Sequence, residues 1–230
     1  MPVLTIVVPC FDEVGNVPRL ERELFPALDA LKLDYEVLAV DDGSSDSTLE
    51  SLQGLTSRQA RLRVLKHGSN RGLGAALKTG LAEAKGEWLV FLDADLTFHP
   101  RHVRELWAAR ETSDADCVSG SPYLGGMPGV PLYRRLPSMA VNAFYRGLFS
   151  RVLTSYTPMF RLYRTADLKG MELLSDGFEI SAEILVRLLK AGARIVEVPV
   201  PLTSRTHGAS KMRGLRELAR HLRLITRLLA

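Results

Sequence analysis

Short runs of apolar, often β-branched residues alternate with helical patterns through the first half of the chain. The runs are Leu4–Val8, Tyr35–Val40, Leu62–Leu65, Trp88–Leu92 and Asp116–Ser119. The segments between them, Asn16–Leu33, Ser45–Ser57, Gly72–Ala84 and Pro100–Ala109, have helical periodicity. Strands that alternate with helices build βαβ units, in which helices cover both faces of a parallel sheet. We therefore expect an α/β fold with a Rossmann-like, mostly parallel sheet flanked by helices.

The second half of the chain is less regular, and no linker in it separates two domains. A Gly/Pro-rich loop at Gly125–Pro131 precedes helical patterns at Leu136–Val152, Phe178–Leu189 and Leu215–Leu229 and strands at Phe160–Tyr163 and Arg194–Val198. The length of 230 residues suits one large domain. We predict a single domain over residues 1–212, followed by a basic amphipathic helix over residues 213–230.

Composition excludes several classes of protein. Hydrophobic residues make up 46% of the chain and charged residues 24%, which excludes a disordered chain, a collagen and a pure coiled coil. Cys10 and Cys117 cannot form a disulfide scaffold, and Cys10 lies in an apolar run, so a reducing compartment is favoured. No basic leader is visible, and no stretch approaches the roughly 20 apolar residues of a spanning helix. These features predict a cytoplasmic protein.

The net charge of +4 is divided unevenly along the chain. Residues from Arg205 onward hold seven basic side chains and one acid, a net +6, whereas the remainder holds 23 basic and 25 acidic residues, a net −2. In the last helical pattern, one stripe is apolar and the opposite one is basic. The apolar stripe is Leu215, Leu218, Leu222, Ile225 and Leu229, and the basic stripe is Arg216, Arg220, Arg223 and Arg227. Such a helix fits a membrane surface or ordinary packing on the domain. No aromatic-basic interleaving supports a nucleic-acid partner.

Carboxylates follow three of the predicted strands. They are Asp12, Glu13, Asp41, Asp42, Asp93 and Asp95. Ligands of parallel sheets bind at the carboxyl ends of the strands, so the three acidic loops predict a site at one edge. Two carboxylates one residue apart, in Asp93-Ala94-Asp95, fit a hard divalent cation that bridges to a diphosphate. The alternative is a solvated turn in which Asp95 caps the backbone.

Two further loops have residues suited to ligand contacts. Asp41 and Asp42 can accept hydrogen bonds from a ribose or a base, whereas Asp46 is predicted to cap the next helix. The segment Asn70–Gly74 opens a helix, and its glycines allow the backbone to approach a ligand closely. The segment matches neither GxGxxG nor a P-loop, which argues against a dinucleotide site and an NTPase site.

Seven segments, taken together and in order, resemble glycosyltransferase family 2, and more narrowly its polyprenyl-phosphate sugar transferases. They are Val8–Glu13, Asp41–Ser44, Asn70–Gly74, Asp93–Leu96, Phe160–Arg164, Phe178–Glu183 and Arg205–Lys211. The resemblance runs from Val7 to about Met212. It implies a GT-A fold, a nucleoside-diphosphate sugar donor of the GDP-mannose or UDP-glucose type, Mg²⁺ or Mn²⁺, and inversion at the anomeric carbon. It also implies a dolichyl or undecaprenyl phosphate acceptor.

The resemblance implies roles for individual residues. The donor nucleotide would be bound by Pro9, Phe11, Glu13, Asp41, Asp42, Ser44, Asn70, Gly72, Asp93, Ala94, Asp95, Arg205, Ser210 and Lys211. Of these, Asp93 and Asp95 would hold the metal, and the last three would meet the diphosphate, since Arg and Lys are usual phosphate partners. Catalytic residues would be Asp93, Asp95, Glu183 and Arg161, with Glu179 as the other carboxylate candidate on the Glu183 helix. Arg134 or Arg135 would contact the acceptor phosphate, the alternative being a solvated helix start.

Three departures from the family pattern bear on the acceptor. Thr97 replaces a frequent Gln or His near the metal, Pro122 replaces an Arg, and residues 155–159 lack a frequent carboxylate. A lipid phosphate is already an anion near neutral pH and needs no strong general base, whereas a sugar hydroxyl does. The missing carboxylate therefore favours a polyprenyl phosphate acceptor, with the chain peripheral to the inner face of the plasma membrane. A soluble saccharide acceptor, or nucleotide-sugar binding with little catalysis, are the alternatives.

Overall fold

The structure is a computed structural model that describes residues 2–205 and 214–229, apart from the side chains of Arg134 and residues 214–216. Its strands are β1 (Leu4–Cys10), β2 (Tyr35–Asp41), β3 (Leu62–Lys66), β4 (Trp88–Phe91), β5 (Cys117–Ser121), β6 (Arg161–Arg164) and β7 (Ile195–Pro199). They form one sheet in the order β3-β2-β1-β4-β6-β5-β7. Every strand predicted from the sequence is present to within a few residues. The predicted domain boundary after residue 212 lies outside the described residues.

Helices connect most of these strands. They are α1 (Val17–Arg19), α2 (Phe25–Asp29), α3 (Thr48–Thr56), α4 (Leu73–Glu83), α5 (Val103–Glu111), α6 (Pro122–Gly125), α7 (Leu132–Leu148), α8 (Thr165–Lys169), α9 (Ile180–Lys190) and α10 (Gly214–Leu229). A π-helical turn, Leu20–Leu24, joins α1 to α2, and a 3-10 turn, Pro100–His102, precedes α5. Asp46 accepts a hydrogen bond from the first N–H of α3, on Thr48 (2.9 Å), and thus supports the helix start as predicted.

Most strand pairs are parallel, as the sequence predicts. The strand β1 lies between β2 and β4 and is parallel to both, β2 is parallel to β3, and β5 is parallel to β7. The strand β6 is the exception, because it runs antiparallel to β4 and to β5. Two antiparallel steps restore the direction, so β5 points the same way as β1, β2 and β4. The carboxyl ends of these four strands therefore share one edge of the sheet.

The sheet is buried on both faces because successive side chains of a strand point to opposite sides. In β1, Ile6 and Val8 belong to one buried cluster together with Leu24 from the π-helical turn. The intervening Val7 belongs to a second cluster together with Leu77 of α4. Such two-sided burial explains why the central strands are continuous apolar runs rather than alternating patterns.

The strand β1 continues through Pro9 to Cys10, whereas the run predicted from the sequence, Leu4–Val8, ends before the proline. The carbonyl of Val7 accepts a hydrogen bond from the N–H of Leu92, so the backbone polar groups of Val7 point towards β4. Those of Pro9, two residues later, point the same way, but Pro9 lies beyond the last residue that pairs with β4. Because no β4 partner is present there, the missing N–H of proline costs no ladder bond.

Two helices differ from their predicted form because of prolines. The segment predicted as one helix over Asn16–Leu33 ends at Asp29 and contains the π-helical turn just before Pro26. Proline cannot donate to the ladder, and a wider turn is a usual response to a lost bond. The helix α7 begins at Leu132 rather than at the predicted Leu136, so Pro137 lies in its interior. A start at Leu136 would have placed this proline in the first turn, where proline is common.

Candidate functional site

The loops that follow β1 and β2 form one connected surface at the shared edge. Ser44 accepts a hydrogen bond at Oγ from the backbone N–H of Asp12 (3.0 Å). In return, the Asp12 carboxylate accepts from the N–H of Ser45 (2.7 Å). The Thr48 hydroxyl accepts from the N–H of Glu13 (2.7 Å), and Asn16 donates to the Glu13 carboxylate (2.5 Å). Two of the three acidic loops predicted to meet at this edge are therefore joined.

The remaining predicted donor residues lie on the same strands and loops. Pro9 is the half-buried residue of β1, Phe11 lies in the loop after this strand and is also half-buried, and Asn70 is exposed. Ala94 is buried, 4% exposed, between the two aspartates of its loop. Ser210 and Lys211, which the resemblance assigns to a diphosphate, lie outside the described residues.

The Asp42 carboxylate is buried and holds the segment Asn70–Gly74, which we call the donor loop. Its Oδ1 lies 2.6 Å from Nδ1 of His67 and accepts from the N–H of Arg71 (2.9 Å). Its Oδ2 accepts from the N–H of Gly72 (2.8 Å). Through these hydrogen bonds Asp42 fixes the position of the donor loop, a role that the sequence does not indicate. Sequence reasoning also missed His67, whose other ring nitrogen meets the Thr79 hydroxyl at 2.9 Å.

Asp41, one residue earlier, has a different environment. It is 2% exposed, and its Oδ2 accepts a hydrogen bond from the N–H of Ser44 (3.3 Å). Its Oδ1 is buried and has no hydrogen-bond partner within the described residues. A buried oxygen without a partner is costly, so this atom is suited to accept a hydrogen bond from a ligand.

The glycines of the donor loop are required by the chain itself. Gly72 has φ +101°, and a Cβ there would lie 2.3 Å from the carbonyl oxygen of Asp176. At Gly74, a Cβ would lie 2.5 Å from the carbonyl oxygen of Ser175. Contacts within the chain, with backbone atoms of residues 175–176, thus require both glycines, and the approach of this loop to a ligand stays a prediction.

Asp95 lies in a tight turn after β4 and is 4% exposed. Its Oδ1 accepts from the N–H of Thr97 (3.0 Å), and its Oδ2 accepts from Nε of Arg205 (2.6 Å). Arg19 also donates to the carbonyl of Asp95 (2.9 Å). The predicted backbone cap is therefore present, but burial and the ion pair exclude the alternative of a solvated turn.

The pKa of Asp93 is raised to about 7, first by burial and then by the negative charge of Asp95, with a partial offset from Arg205 and a further rise from Glu13. The two carboxylates repel each other because both carry negative charge. A bound cation would stabilise their charged forms and so lower the pKa of Asp93. Carboxylate oxygens are also the ligands that Mg²⁺ and Mn²⁺ prefer. The donor set at Asp93 and Asp95 therefore fits a divalent ion. No group of three or more His, Cys, Asp or Glu that could hold a metal occurs within 2–205 and 214–229, so other oxygens would have to complete the shell.

Arg161 is fully buried at the start of β6. Its guanidinium donates to five groups: the hydroxyls of Ser119 and Tyr163 and the carbonyls of Ser155, Tyr156 and Ser181. Buried guanidinium groups need such a full set of acceptors. These contacts indicate a structural role for Arg161, and its catalytic role stays a prediction.

Glu183 is likewise fully buried, on α9. Its carboxylate accepts from the N–H groups of Leu174 (3.0 Å) and Ser175 (2.8 Å) and from Nε of Arg187 (2.9 Å). These contacts hold residues 174–175 in place, and the catalytic role of Glu183 stays a prediction. Glu179, the other candidate on this helix, is 7% exposed, and its Oε2 has no partner within the described residues.

Of the two arginines predicted to contact the acceptor phosphate, the structure describes the side chain of Arg135. Arg135 donates through Nε to the carbonyl of Val130 (2.7 Å) and through a second nitrogen to the carbonyl of Met127. It therefore holds the Gly/Pro-rich loop before α7, and its contact with an acceptor phosphate stays a prediction. The side chain of Arg134 lies outside what the structure describes.

The segment that lacks the family carboxylate is held by a carboxylate from elsewhere. Glu197 on β7 accepts from the N–H of Thr154 (2.7 Å) and of Ser155 (3.2 Å). Asn142 of α7 accepts from the N–H of Tyr156 (2.7 Å). The sequence does not indicate Glu197, because 42 residues separate it from Ser155. The segment of residues 154–156 thus packs between β7 and α7.

A family model for glycosyl transferase family 2 matches residues 5–171. The chain belongs to this family. Its family 2 relatives include a dolichol-phosphate mannosyltransferase of Saccharomyces cerevisiae, 30% identical over 91% of this chain and 81% of that protein. An undecaprenyl-phosphate mannosyltransferase of Micrococcus luteus is 32% identical over 93% of this chain and 88% of that protein. This family 2 chain is a glycosyltransferase.

A third relative is longer than this chain. The dolichol-phosphate mannosyltransferase of Pyrococcus furiosus is 31% identical over 98% of this chain, which spans 63% of the length of that protein.

Solved structures of other transferases confirm the GT-A fold. Glucosyl-3-phosphoglycerate synthase of Mycobacterium tuberculosis, in complex with Mn²⁺, UDP and glucosyl-3-phosphoglycerate, aligns with a TM-score of 0.72 at 20% identity, over 99% of this chain and 78% of that one. The same enzyme has been solved with Mg²⁺ and UDP. Staphylococcus aureus TarS in complex with UDP-GlcNAc aligns with a TM-score of 0.65 at 22% identity, over 98% of this chain and 66% of that one. At these identities, the likeness shows the fold alone.

Proposed function

We propose that this family 2 chain transfers a hexose from a nucleoside-diphosphate sugar to a polyprenyl phosphate, with inversion at the anomeric carbon. The observation that carries the lipid acceptor is the outward face of α7. This helix follows β5 at the same edge as the acidic loops and exposes a row of large apolar side chains. They are Leu132, Tyr133, Leu136, Met139, Phe144 and Leu148, all between 46% and 70% exposed. The names of the mannosyltransferase relatives, dolichol-phosphate and undecaprenyl-phosphate, support the same acceptor class.

The donor nucleotide is proposed to lie against the loops after β1 and β2. Asp41 would accept a hydrogen bond from a base or a ribose at its unpartnered, buried Oδ1. The Asp42 carboxylate is already hydrogen-bonded to His67 and to the donor loop. It would therefore hold these loops in position rather than bind the nucleotide. The choice between GDP and UDP depends on the shape of the pocket, and a donor panel decides it.

Asp93 and Asp95 would hold the divalent ion, with diphosphate and water oxygens completing its shell. The ion would supply positive charge that stabilises the departing nucleoside diphosphate. Arg205 now donates to Oδ2 of Asp95, and we propose that it contacts the diphosphate in the donor complex. Ser210 and Lys211 remain proposed diphosphate contacts on sequence grounds.

The reaction needs little from a general base. An oxygen of the lipid phosphate attacks the anomeric carbon, the bond from that carbon to the diphosphate oxygen breaks, and the nucleoside diphosphate leaves with the electron pair. A phosphate anion is already deprotonated near neutral pH. This accords with Glu183 being unavailable, since its carboxylate is buried on backbone N–H groups and Arg187. Arg134 is the proposed contact for the acceptor phosphate.

The experiment that tests the proposal is a donor panel. GDP-mannose, UDP-glucose and related donors are offered with undecaprenyl or dolichyl phosphate, with and without Mg²⁺ or Mn²⁺. We expect a lipid-linked hexose to form from one donor and only with metal. Transfer to soluble saccharides without lipid phosphate would favour the saccharide alternative. Nucleotide binding by calorimetry with no turnover on any acceptor would favour a binding protein.

Membrane contact is proposed through α7 rather than α10. No helix within the described ranges is long and apolar enough to span a bilayer, so contact would be peripheral. In the predicted apolar stripe of α10, Ile225 is buried, whereas Leu218, Leu222 and Leu229 are 41%, 48% and 57% exposed. The apolar residues Leu224 and Leu228, outside that stripe, are also buried. Packing on the domain, one of the two alternatives for this helix, is therefore supported for part of its apolar surface. A position on the inner face of the plasma membrane stays a proposal.

Replacing Leu136 with glutamate should weaken binding to anionic phospholipid vesicles by more than about tenfold, because it inserts a charge where an apolar side chain would be buried. Leu136 is 59% exposed, so the unfolding midpoint should stay that of the wild type. Co-sedimentation with phosphatidylglycerol vesicles measures the effect. The matched variant is Leu222→Glu on α10. If Leu222→Glu abolishes binding and Leu136→Glu does not, α10 is the membrane contact and the α7 assignment is wrong.

A further inference from the structure

We infer that Glu183 is a positioning residue for the donor: through residues 174–176 it fixes the donor loop against which the nucleotide sugar binds. The inference rests on the proposed function, because it assigns a part in donor binding to a residue that does not touch the donor. Three connected sets of contacts carry it.

The first set joins Glu183 to the segment Leu173–Asp176. This segment has no regular secondary structure and precedes α9. Both oxygens of the Glu183 carboxylate are used, Oε1 by Leu174 and Oε2 by Ser175. Burial raises the pKa of Glu183, but the hydrogen bonds from Ser175 and Leu174 and from Arg187 outweigh it and leave the pKa below its usual value. The group is thus a charged carboxylate dedicated to two backbone N–H groups.

The second set joins that segment to the donor loop. The N–H of Gly74 donates to the carbonyl of Asp176 (2.8 Å). Lys78, one turn further along α4, donates to the Asp176 carboxylate (2.7 Å) and to the carbonyl of Leu173 (3.4 Å). A Cβ at Gly72 or at Gly74 would overlap the backbone at 175–176. The two stretches of backbone are therefore in direct van der Waals contact, so displacement of one displaces the other.

The third set acts on the other side of the donor loop. There Asp42 accepts from the N–H groups of Arg71 and Gly72, backed by His67. The loop is thus held between two buried carboxylates, Asp42 directly and Glu183 through the 174–176 segment. Fixing a binding loop in advance lowers the ordering cost that a ligand must offset.

Glu183→Gln keeps the shape of the side chain but can no longer accept from both N–H groups and Arg187. We expect the Kd for the nucleoside diphosphate and the KM for the donor to rise by about tenfold, equivalent to one lost hydrogen bond to a charged group. The kcat at saturating donor should change by less than about threefold, since the reacting atoms are not touched. Calorimetry with GDP and UDP and steady-state kinetics measure these values.

Gly74→Ala tests the same connection without altering a charge. Its methyl group would push the backbone at 175–176 away from the donor loop, and it should produce the same rise in Kd and KM. The matched control is Gly54→Ala on α3, where a Cβ meets nothing within 4 Å and binding should stay that of the wild type. Thermal unfolding of all three variants shows whether each is folded, and Gly74→Ala decides the question if Glu183→Gln is not.

The outcomes separate this inference from the proposed function. If the wild type binds nucleotide and the folded variants bind it equally well, Glu183 has no positioning part, while the proposed function stands. A decrease confined to kcat would instead indicate a catalytic role for Glu183 and would also overturn the inference. If the wild type binds neither GDP nor UDP, the proposed function fails and the inference fails with it.

Discussion

Replacing Asp95 with alanine should lower kcat for sugar transfer by about 10³-fold or more, because it removes a carboxylate that would hold the metal. Asp95 is 4% exposed and its Oδ2 lies 2.6 Å from Nε of Arg205, so the change also removes this ion pair. The measurement is the rate of lipid-linked hexose formation at saturating donor, acceptor and Mn²⁺.

The matched control for Asp95→Ala is Asp114→Ala. The Asp114 side chain is fully exposed, with a surface ion pair to Arg194 at 3.6 Å, and such pairs contribute little. This variant should keep the rate of the wild type. A second measurement, Mn²⁺ binding followed by electron paramagnetic resonance in the presence of nucleotide, should show weaker binding for Asp95→Ala alone. Full activity of Asp95→Ala would contradict the metal assignment.

Replacing Arg161 with methionine should lower the free energy of unfolding by about 4 kcal/mol, because it leaves several buried acceptors without a donor. Three of these acceptors are backbone carbonyls, on Ser155, Tyr156 and Ser181. Arg161→Lys should also be destabilising, since an ammonium group cannot reach the acceptors that the planar guanidinium spans. Chemical denaturation gives the midpoint and the slope for each variant.

Arg104→Met on the exposed side of α5 is the control for Arg161→Met. Arg104 is exposed, and its replacement should change stability by less than about 0.5 kcal/mol. If Arg161→Met unfolds at the midpoint of the wild type but has lost transfer activity, the structural role is wrong. The catalytic role expected from the family resemblance would then stand.

The sequence predicts the strands well because each is a continuous buried run, as Leu4–Val8 and Trp88–Leu92 illustrate. Local composition carries that information, and the rule that ligands bind at strand carboxyl ends then places Asp41 and Asp95 at one edge. The direction of β6 is different. The run Phe160–Tyr163 reads the same for a parallel or an antiparallel strand, and its orientation depends on where the chain returns to the sheet.

Residue type in a family motif does not indicate how deeply a side chain is buried or which protein groups it contacts. Arg161 and Glu183 fit the family pattern, yet both are fully buried on protein partners. The supporting partners are distant in sequence: His67 lies 25 residues from Asp42, and Lys78 lies 98 residues from Asp176. Local periodicity cannot indicate contacts at such separations, so His67 and Glu197 carry no signal in a single sequence.

The antiparallel pairing of β5 with β6 makes the α6–α7 region an exchangeable insert. Ser119 pairs with Arg161, so the chain leaves the sheet and re-enters it at adjacent positions, 42 residues apart. The cost of closing a loop grows slowly with its length, and the register of the sheet does not depend on what the loop contains. During evolution, this region could therefore be lengthened, shortened or replaced, giving new acceptors to an unchanged donor half.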